Sequence, residues 1–368
     1  KSIFIIPTEA MMINLFKSIN HFLWERVEEG QLPGAVYGIV TKDNTIYEKA
    51  IGYAHIKKQI PMSIDTLFDL ASLTKVCVTL PSILLLIQKG EIDLDDSIKR
   101  FFNNTFTDKI TIKHLLTHTS GLPAHIPFYK YGWSKETICD YIIGNNFEVG
   151  SETKPGHKVV YSDLNFILLG FLIEKITGQA LDAFAYENIF KPLGMGNTTF
   201  NPKINRIHIA PTEWSDAIND YRWGEVHDEN AAQIGGVSGH AGLFSNLGDL
   251  KIFTQMLLRR GYTAANNIFL SPSLIDSSRK NYTSSLNLNR GLGWQLVDSE
   301  FSPVGYFLSN NCYGHTGFTG TSLWIDPDRG IGIILLSNRV HIGRSINMNR
   351  IRRVFHNLVS FAIDKVRE

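Results

Sequence analysis

Asp69-Leu70-Ala71-Ser72-Leu73-Thr74-Lys75 stands at the head of an apolar run that is closed by Gly90. A helix is expected from Ser72 to about Lys89, with Pro81 inside it as a point of kinking. Residues three apart on a helix share a face with Cβ atoms about 5–6 Å apart, so the Lys75 amine reaches the Ser72 hydroxyl. A serine hydroxyl is a weak nucleophile and needs a base beside it. An ordinary lysine is protonated and cannot serve. Burial and the positive end of a helix both disfavour the ammonium, so this location is expected to lower the Lys75 pKa. Taken alone, the pattern fits equally a helix cap at Ser72 and a solvated Lys75.

Two further segments carry suitable groups. Tyr161-Ser162-Asp163 stands just before a helical pattern that begins near Leu164. Tyr161 is there either a hydrophobic staple or a proton-handling group beside the lysine, and Asp163 either an N-cap or a second such group. Tyr313-Gly314-His315-Thr316-Gly317-Phe318-Thr319-Gly320 precedes an apolar strand at Thr321 to Asp326. Its glycines let backbone approach a ligand closely, and a strand edge beside a nucleophile can supply an oxyanion-hole N–H. The plain alternative is a glycine-rich turn.

Helical periodicity runs from Met11 to Glu29, and strand-like runs follow at Gly34 to Thr41 and Thr45 to Tyr53. The middle is mostly helical: Thr111 to Leu116, Ser134 to Ile143, Leu164 to Thr177, Leu181 to Phe190 and Leu247 to Arg259. Strands return at Thr321 to Asp326 and Ile331 to Asn338, before a final amphipathic helix from about Ile346 to Lys365. The expected fold class is α+β: an antiparallel sheet built from both chain ends with flanking helices, plus a mostly helical insertion. Residues 1–71 and 285–368 would form the sheet domain and 72–284 the helical one, with the active-site cleft between them.

The 368 residues fit two domains or one composite domain. A chain that is 43% apolar and 19% charged is not disordered. Lys+Arg 36 against Asp+Glu 35 leaves +1, which gives no footprint for nucleic acid and no polybasic membrane anchor. The longest apolar runs, such as Phe166 to Ile173, are about eight residues against the roughly 18 of a transmembrane helix, so no such segment is expected. Cys77, Cys139 and Cys312 show neither pairing nor metal spacing and read as small hydrophobes. His114 and His118 have the spacing of a zinc helix, but Leu115 stands where such a helix carries its glutamate, so they read as structural. His227-Asp228-Glu229 reads as a loop bordering the cleft. No metal is expected. The apolar part of Lys1 to Pro7 is too short for a signal core; it is either a remnant of an export signal or a plain chain start. A periplasmic or exported location is expected, with a cytoplasmic one as the alternative.

Ser72-Leu73-Thr74-Lys75, Tyr161-Ser162-Asp163 and His315-Thr316-Gly317 resemble, in order, the S-x-x-K, Y-x-N and K/H-T-G motifs of the serine penicillin-recognising superfamily. That superfamily comprises class C-type β-lactamases, D-alanyl-D-alanine carboxypeptidases and related esterases and D-amino-acid amidases. His114-Leu115-Leu116-Thr117-His118-Thr119-Ser120-Gly121-Leu122, Pro192-Leu193-Gly194-Met195 and Gly239-His240-Ala241-Gly242-Leu243-Phe244-Ser245 are similar to it as well, so the likeness spans roughly Gly34 to Asn338. It implies a β-lactamase/transpeptidase-like fold and an acyl-enzyme route on amide or ester bonds, with no cofactor. Ser72 would be the nucleophile, Lys75 and Tyr161 would share the proton traffic, and Ser72 and Phe318 would supply the oxyanion-hole amides. His315, Thr316 and Gly317 would line the site and bind a substrate carboxylate. Asp163 departs from the usual asparagine. An ionised aspartate only accepts hydrogen bonds, so it is protonated, or pairs with Lys75, or meets a donor on the substrate. The partner is a small-molecule or peptide substrate, either a cell-wall peptide or a β-lactam. H-T-G in place of K-T-G, and the lack of a class A-type E-x-x-L-N segment, rank a D-alanyl-D-alanine carboxypeptidase-like or esterase activity above a class C-type β-lactamase. A catalytically inactive binding protein on the same fold is the rival of another class, and it would be expected to lack Ser72 or Lys75.

Overall fold

The computed structural model describes residues 9–103, 108–145, 147, 154–298 and 302–367. Its centre is a seven-stranded antiparallel sheet. In spatial order the strands are Ile60–Pro61, Thr45–His55, Gly34–Val40, Ile331–Leu336, Ser322–Asp326, Tyr313–Thr316 and Gln295–Leu296. The two ends of the chain meet where Val36 pairs with Leu336 and Ile39 with Ile333. Every residue of Gly34–Val40 and of Ile331–Leu336 is buried, so both faces of the sheet are covered. Side chains alternate between two cores, as the two-residue period of a strand requires. Tyr37, Ile39, Trp324, Ile333 and Leu335 join the helices Lys17–Glu28 and Met348–Arg367 on one face. Val36, Leu323, Ile325, Ile334 and Leu336 face the helical part of the chain. The α+β expectation and its antiparallel sheet hold.

The helix Asp163–Thr177 is apolar all round, and residues 164 to 173 are buried without a break. It is the central strut of the helical part and ends at Gly178, whose φ of 68° suits a residue with no side chain. Gly239 packs against it so closely that a Cβ there would lie 2.1 Å from the Phe166 carbonyl oxygen. Short strands not anticipated from the sequence tie the middle together: Phe68–Asp69 pairs with Leu243–Ser245, which pairs with Thr199–Phe200.

Three expectations need correction. The N-terminal helix is two helices, Glu9–Leu15 and Lys17–Glu28, broken at Phe16, whose buried ring stacks on Tyr47 at 4.4 Å. The helix expected from Ser72 is composite: a 3₁₀ turn Ala71–Leu73, a π turn Lys75–Thr79, then the α-helix Leu80–Gln88. The widened turn lies just ahead of Pro81, which has no N–H to continue the ladder. Apolar run length also understated this segment, because Ser72, Lys75 and Thr79 interrupt it. At a mean hydropathy of 1.6, Ala71–Gln88 is long and apolar enough to cross a membrane, yet 83% of it is buried inside the protein as a core helix. The stretch Lys1 to Pro7 lies outside the described residues.

Gly239→Ala is expected to lower stability by about 2 kcal/mol, since Phe166 and Gly170 present backbone that cannot move aside as a side chain would. Thermal denaturation of the variant against wild type checks this.

Candidate active site

Ser72 follows a strained turn residue. Ala71 has a φ of 47°, a left-handed value that a non-glycine residue holds only under constraint. The constraint is visible. The buried Asp69 carboxylate accepts from the Ala71 N–H at 2.8 Å and from the His227 N–H at 2.6 Å. Thr319 Oγ1 donates to the Asp69 carbonyl at 2.7 Å, and Thr321 Oγ1 to the Leu70 carbonyl at 3.0 Å. These last two bonds dock the turn after Tyr313–Thr316 against the residues that carry Ser72. Gly317 is obligatory there, because a Cβ would lie 2.1 Å from Thr321 Oγ1 and 2.5 Å from the Leu70 oxygen.

Lys75 is fully buried. Its Nζ donates to Ser72 Oγ at 3.0 Å, to Asp163 Oδ1 at 2.8 Å and to the His240 carbonyl at 3.3 Å. Three acceptors use all three N–H groups of an ammonium. Burial by itself pushes Lys75 down, but the Asp163 carboxylate and the neighbouring Tyr161 outweigh it and hold the lysine above its ordinary value. This corrects the lowering expected from burial and helix position alone and agrees with the reading in which Asp163 pairs with Lys75. It also decides among the three readings of Asp163, which forms a salt bridge to Lys75. Asp163 is the first residue of its helix, where a negative charge is favoured, and its neighbour Ser162 occupies the cap position.

Ser72, Tyr161, Asp163, His315, Thr316, Gly317 and Phe318 all line one cleft of about 730 Å³. The structure thus brings every expected site residue together, with Lys75 beneath the floor. The Tyr161 ring lies 4.8 Å from Lys75 Nζ, 5.8 Å from the His315 ring and 5.8 Å from the Arg290 guanidinium. His315 is buried, and its Nδ1 donates to the Thr316 carbonyl at 2.8 Å, which leaves Nε2 as a bare acceptor. Burial, then Lys75 and Arg290, hold its imidazole well below the usual range. His315 is therefore neutral and offers a carboxylate no charge.

Arg290, which no sequence motif marked, brings a positive charge to the cleft. Its side chain lines the cleft and is only 7% exposed. Among the described residues no ion pair engages it, and its Nε is buried without a partner. Asp228 and His240 were likewise not foreseen as one unit. His240 is clamped by Ser238 Oγ at Nδ1 and Asp228 Oδ1 at Nε2, both at 2.8 Å, which fixes the segment whose carbonyl faces Lys75. His227, Asp228 and Glu229 border the cleft as expected, and Asp228 caps the short helix behind them. Ligand atoms of Asp163, Asp228 and His240 lie within 4.8 Å of one another, a grouping that would suit a cation. Lys75 already fills that role for Asp163, and His240 bonds Asp228. His114 serves as a helix-capping residue through Nδ1, apart from His118.

The chain was compared with known proteins. The sequence family model described as Beta-lactamase matches residues 19–356. A curated relative from Escherichia coli O157:H7, named "Putative D-alanyl-D-alanine carboxypeptidase", is 33% identical over 89% of this chain and 83% of its own. Among solved structures, an octameric penicillin-binding protein homologue from Pyrococcus abyssi has a TM-score of 0.67 at 24% identity, covering 91% of this chain and 76% of that one. EstCE1, described as a hydrolase with promiscuous acyltransferase activity, has a TM-score of 0.73 at 21% identity, covering 96% of this chain and 100% of that one. At these identities the structural likenesses speak to the fold.

Asp163→Asn removes the carboxylate that does most to hold Lys75 charged, leaving Tyr161 alone to oppose burial. The lysine is raised in the folded protein, so the stability it contributes is full below its unfolded value of about 10.4 and is lost as pH rises through the folded value. In the variant the lysine should lose its proton at lower pH. Unfolding free energy near pH 7 should fall by roughly 3 kcal/mol, in line with an orphaned buried charge. Denaturant titrations across pH 6–10 and the pH profile of acylation by a fluorophosphonate check both shifts.

Proposed function

The chain belongs to the beta-lactamase family and is a serine hydrolase, and we propose that its activity is that of a D-alanyl-D-alanine carboxypeptidase, removing a C-terminal residue with a free carboxylate. The observation that carries this reading is Arg290, a buried cation on the Tyr161–His315 side of the cleft that forms no ion pair among the described residues and feels a carboxylate only from Asp298. A guanidinium stays protonated when buried, and leaving it unpaired costs several kcal/mol unless a ligand anion meets it. A substrate carboxylate on the leaving group fits that need, and the Thr316 hydroxyl beside it can add a hydrogen bond, while the neutral His315 has its one proton committed to the Thr316 carbonyl.

In this reading Ser72 Oγ attacks the scissile carbonyl carbon. Lys75 is an ammonium and has no lone pair, so the Ser72 proton passes to the Tyr161 oxygen as the Tyr161 hydroxyl proton moves on to the scissile nitrogen. Lys75 orients Ser72 Oγ and offsets the charge that develops beside it. The backbone N–H groups of Ser72 and Phe318, both at the cleft, receive the oxyanion. The C–N bond breaks with the nitrogen protonated in this way, which leaves Tyr161 neutral, and a water molecule releases the acyl group from Ser72 by the reverse route. Asp163 offers no donor to an acyl-side amide, which ranks β-lactam hydrolysis below peptide hydrolysis. An exported location, where cell-wall peptides are met, fits this reading.

Two variants test it. Ser72→Ala should lose hydrolysis of every substrate by several orders of magnitude. Arg290→Gln should raise KM for a peptide ending in D-Ala-D-Ala by roughly 10- to 100-fold, the range of a lost charge-assisted bond, with p-nitrophenyl acetate hydrolysis changed less than about threefold. Equal losses on peptide and ester would contradict carboxylate recognition and favour a plain esterase.

A further inference from the structure

The loop that follows the helix Ile112–Leu116 holds the Tyr161 segment from below. The His118 carbonyl accepts from the Val160 N–H at 2.9 Å, the Ala124 carbonyl from the Asp163 N–H at 3.0 Å, and the Pro123 carbonyl from Ser162 Oγ at 2.6 Å. The fourth tie is a side chain. His118 Nδ1 accepts from the Ser162 N–H at 3.1 Å and lies 3.3 Å from Asn165 Nδ2. The direction of the second bond follows from its neighbours. The Leu122 N–H donates to Ser120 Oγ at 3.1 Å, and Ser120 Oγ donates in turn to Asn165 Oδ1 at 2.6 Å, so the Asn165 amide faces His118 with its NH₂. Two donors converge on Nδ1, which therefore carries no proton. The proton is on Nε2, which is buried and has no partner among the described residues.

The rings report the same arrangement. His118 is 1% exposed, packs 4.6 Å from the Tyr161 ring and 5.1 Å from Phe166, and holds a left-handed φ of 57°. A strained, buried imidazole that spends one nitrogen on the backbone between Tyr161 and Asp163 is costly as packing alone. We propose that His118 is a positioning residue for the acylation step, its Nδ1 fixing the Ser162 amide and thereby setting the Tyr161 ring and the Asp163 carboxylate on either side of Lys75. Burial, then Arg290, Lys75 and His315, keep it well below the usual histidine range, so the acceptor form persists at neutral pH. A protonated ring would present a donor at Nδ1 to a backbone N–H that has no other role there. The inference rests on Tyr161 handling the Ser72 proton, as proposed above.

The test separates the two ring nitrogens. In His118→Asn the carboxamide oxygen takes the place of Nδ1, and asparagine tolerates a left-handed φ better than most residues. In His118→Gln the carboxamide is one methylene too long and reaches the Nε2 position instead. His118→Phe keeps a ring and removes both nitrogens. With a D-Ala-D-Ala peptide, His118→Asn should keep kcat within about tenfold of wild type. His118→Gln and His118→Phe should each lose roughly a hundredfold in kcat, the usual effect of a 1 Å misplacement, with KM within about threefold. The labelling rate by a fluorophosphonate should fall in parallel, measured on protein whose circular dichroism matches wild type. Equal kcat in the Asn and Gln variants would overturn the role, and this comparison stands even where the Phe variant fails to fold. Tyr161→Phe marks the premise: near-wild-type kcat there would overturn the proton route itself, whereas an inactive Tyr161→Phe beside an active His118→Gln would refute only the positioning.

Discussion

A lysine ammonium taken out of water loses hydration worth several kcal/mol, and it persists inside a protein only where acceptors replace that hydration fully. Lys75 meets this condition with a carboxylate, a hydroxyl and a carbonyl drawn from three separate parts of the chain. The rest of the site follows from satisfying those three contacts at once. Asp163 must begin its helix beside the lysine, the segment at His240 must turn its carbonyl inward, and the nucleophile must stand one turn before the amine. The carboxylate is the decisive partner: with an amide in its place burial would dominate and the lysine would sit nearer neutrality. The departure at Asp163 is what disfavours the lysine as base in the proposed mechanism and leaves that role to Tyr161.

Around that pair the fold supplies two clamps. The Thr319 and Thr321 hydroxyls fasten the turn after the Tyr313–Thr316 strand to the carbonyls just ahead of Ser72, while Asp69 closes the same turn from the other side. The loop from His118 to Ala124 holds the backbone of Val160, Ser162 and Asp163. Each clamp ties a loop to a rigid element, the first to the central sheet and the second to the helix Asp163–Thr177, buried from residue 164 to 173. The strain at Ala71 and His118 is stored where these clamps meet the reacting groups.

Much of this was legible in the sequence, for definite reasons. Ser72 and Lys75 have the helical spacing that brings hydroxyl and amine together, and the glycines around His315 signal close backbone approach. Strand runs at both ends and helical periods between them indicate the antiparallel sheet and its insertion. Other features depend on long-range contacts that no local pattern encodes. Arg290 stands in a stretch without a motif, and its burial beside Tyr161 exists only in the assembled cleft. Helix position and burial are local and by themselves lower the lysine; the raised value needs Asp163, 88 residues away, and the aspartate in place of the usual asparagine was the sequence sign of that pairing. The π turn at Lys75–Thr79 and the break at Phe16 are likewise answers to packing, where Pro81 and the stacked Phe16 ring override a continuous helical period.

The charge on Lys75 is the hinge of the whole account and can be observed without substrate. Protein carrying ¹³Cε,¹⁵Nζ-lysine, with Lys75→Met to assign the resonance, can be titrated by NMR from pH 6 to 10.5. The account predicts that the Lys75 signal keeps ammonium shifts across that entire range in the wild type. Amine shifts at pH 7, or a titration midpoint below about 9, would contradict it.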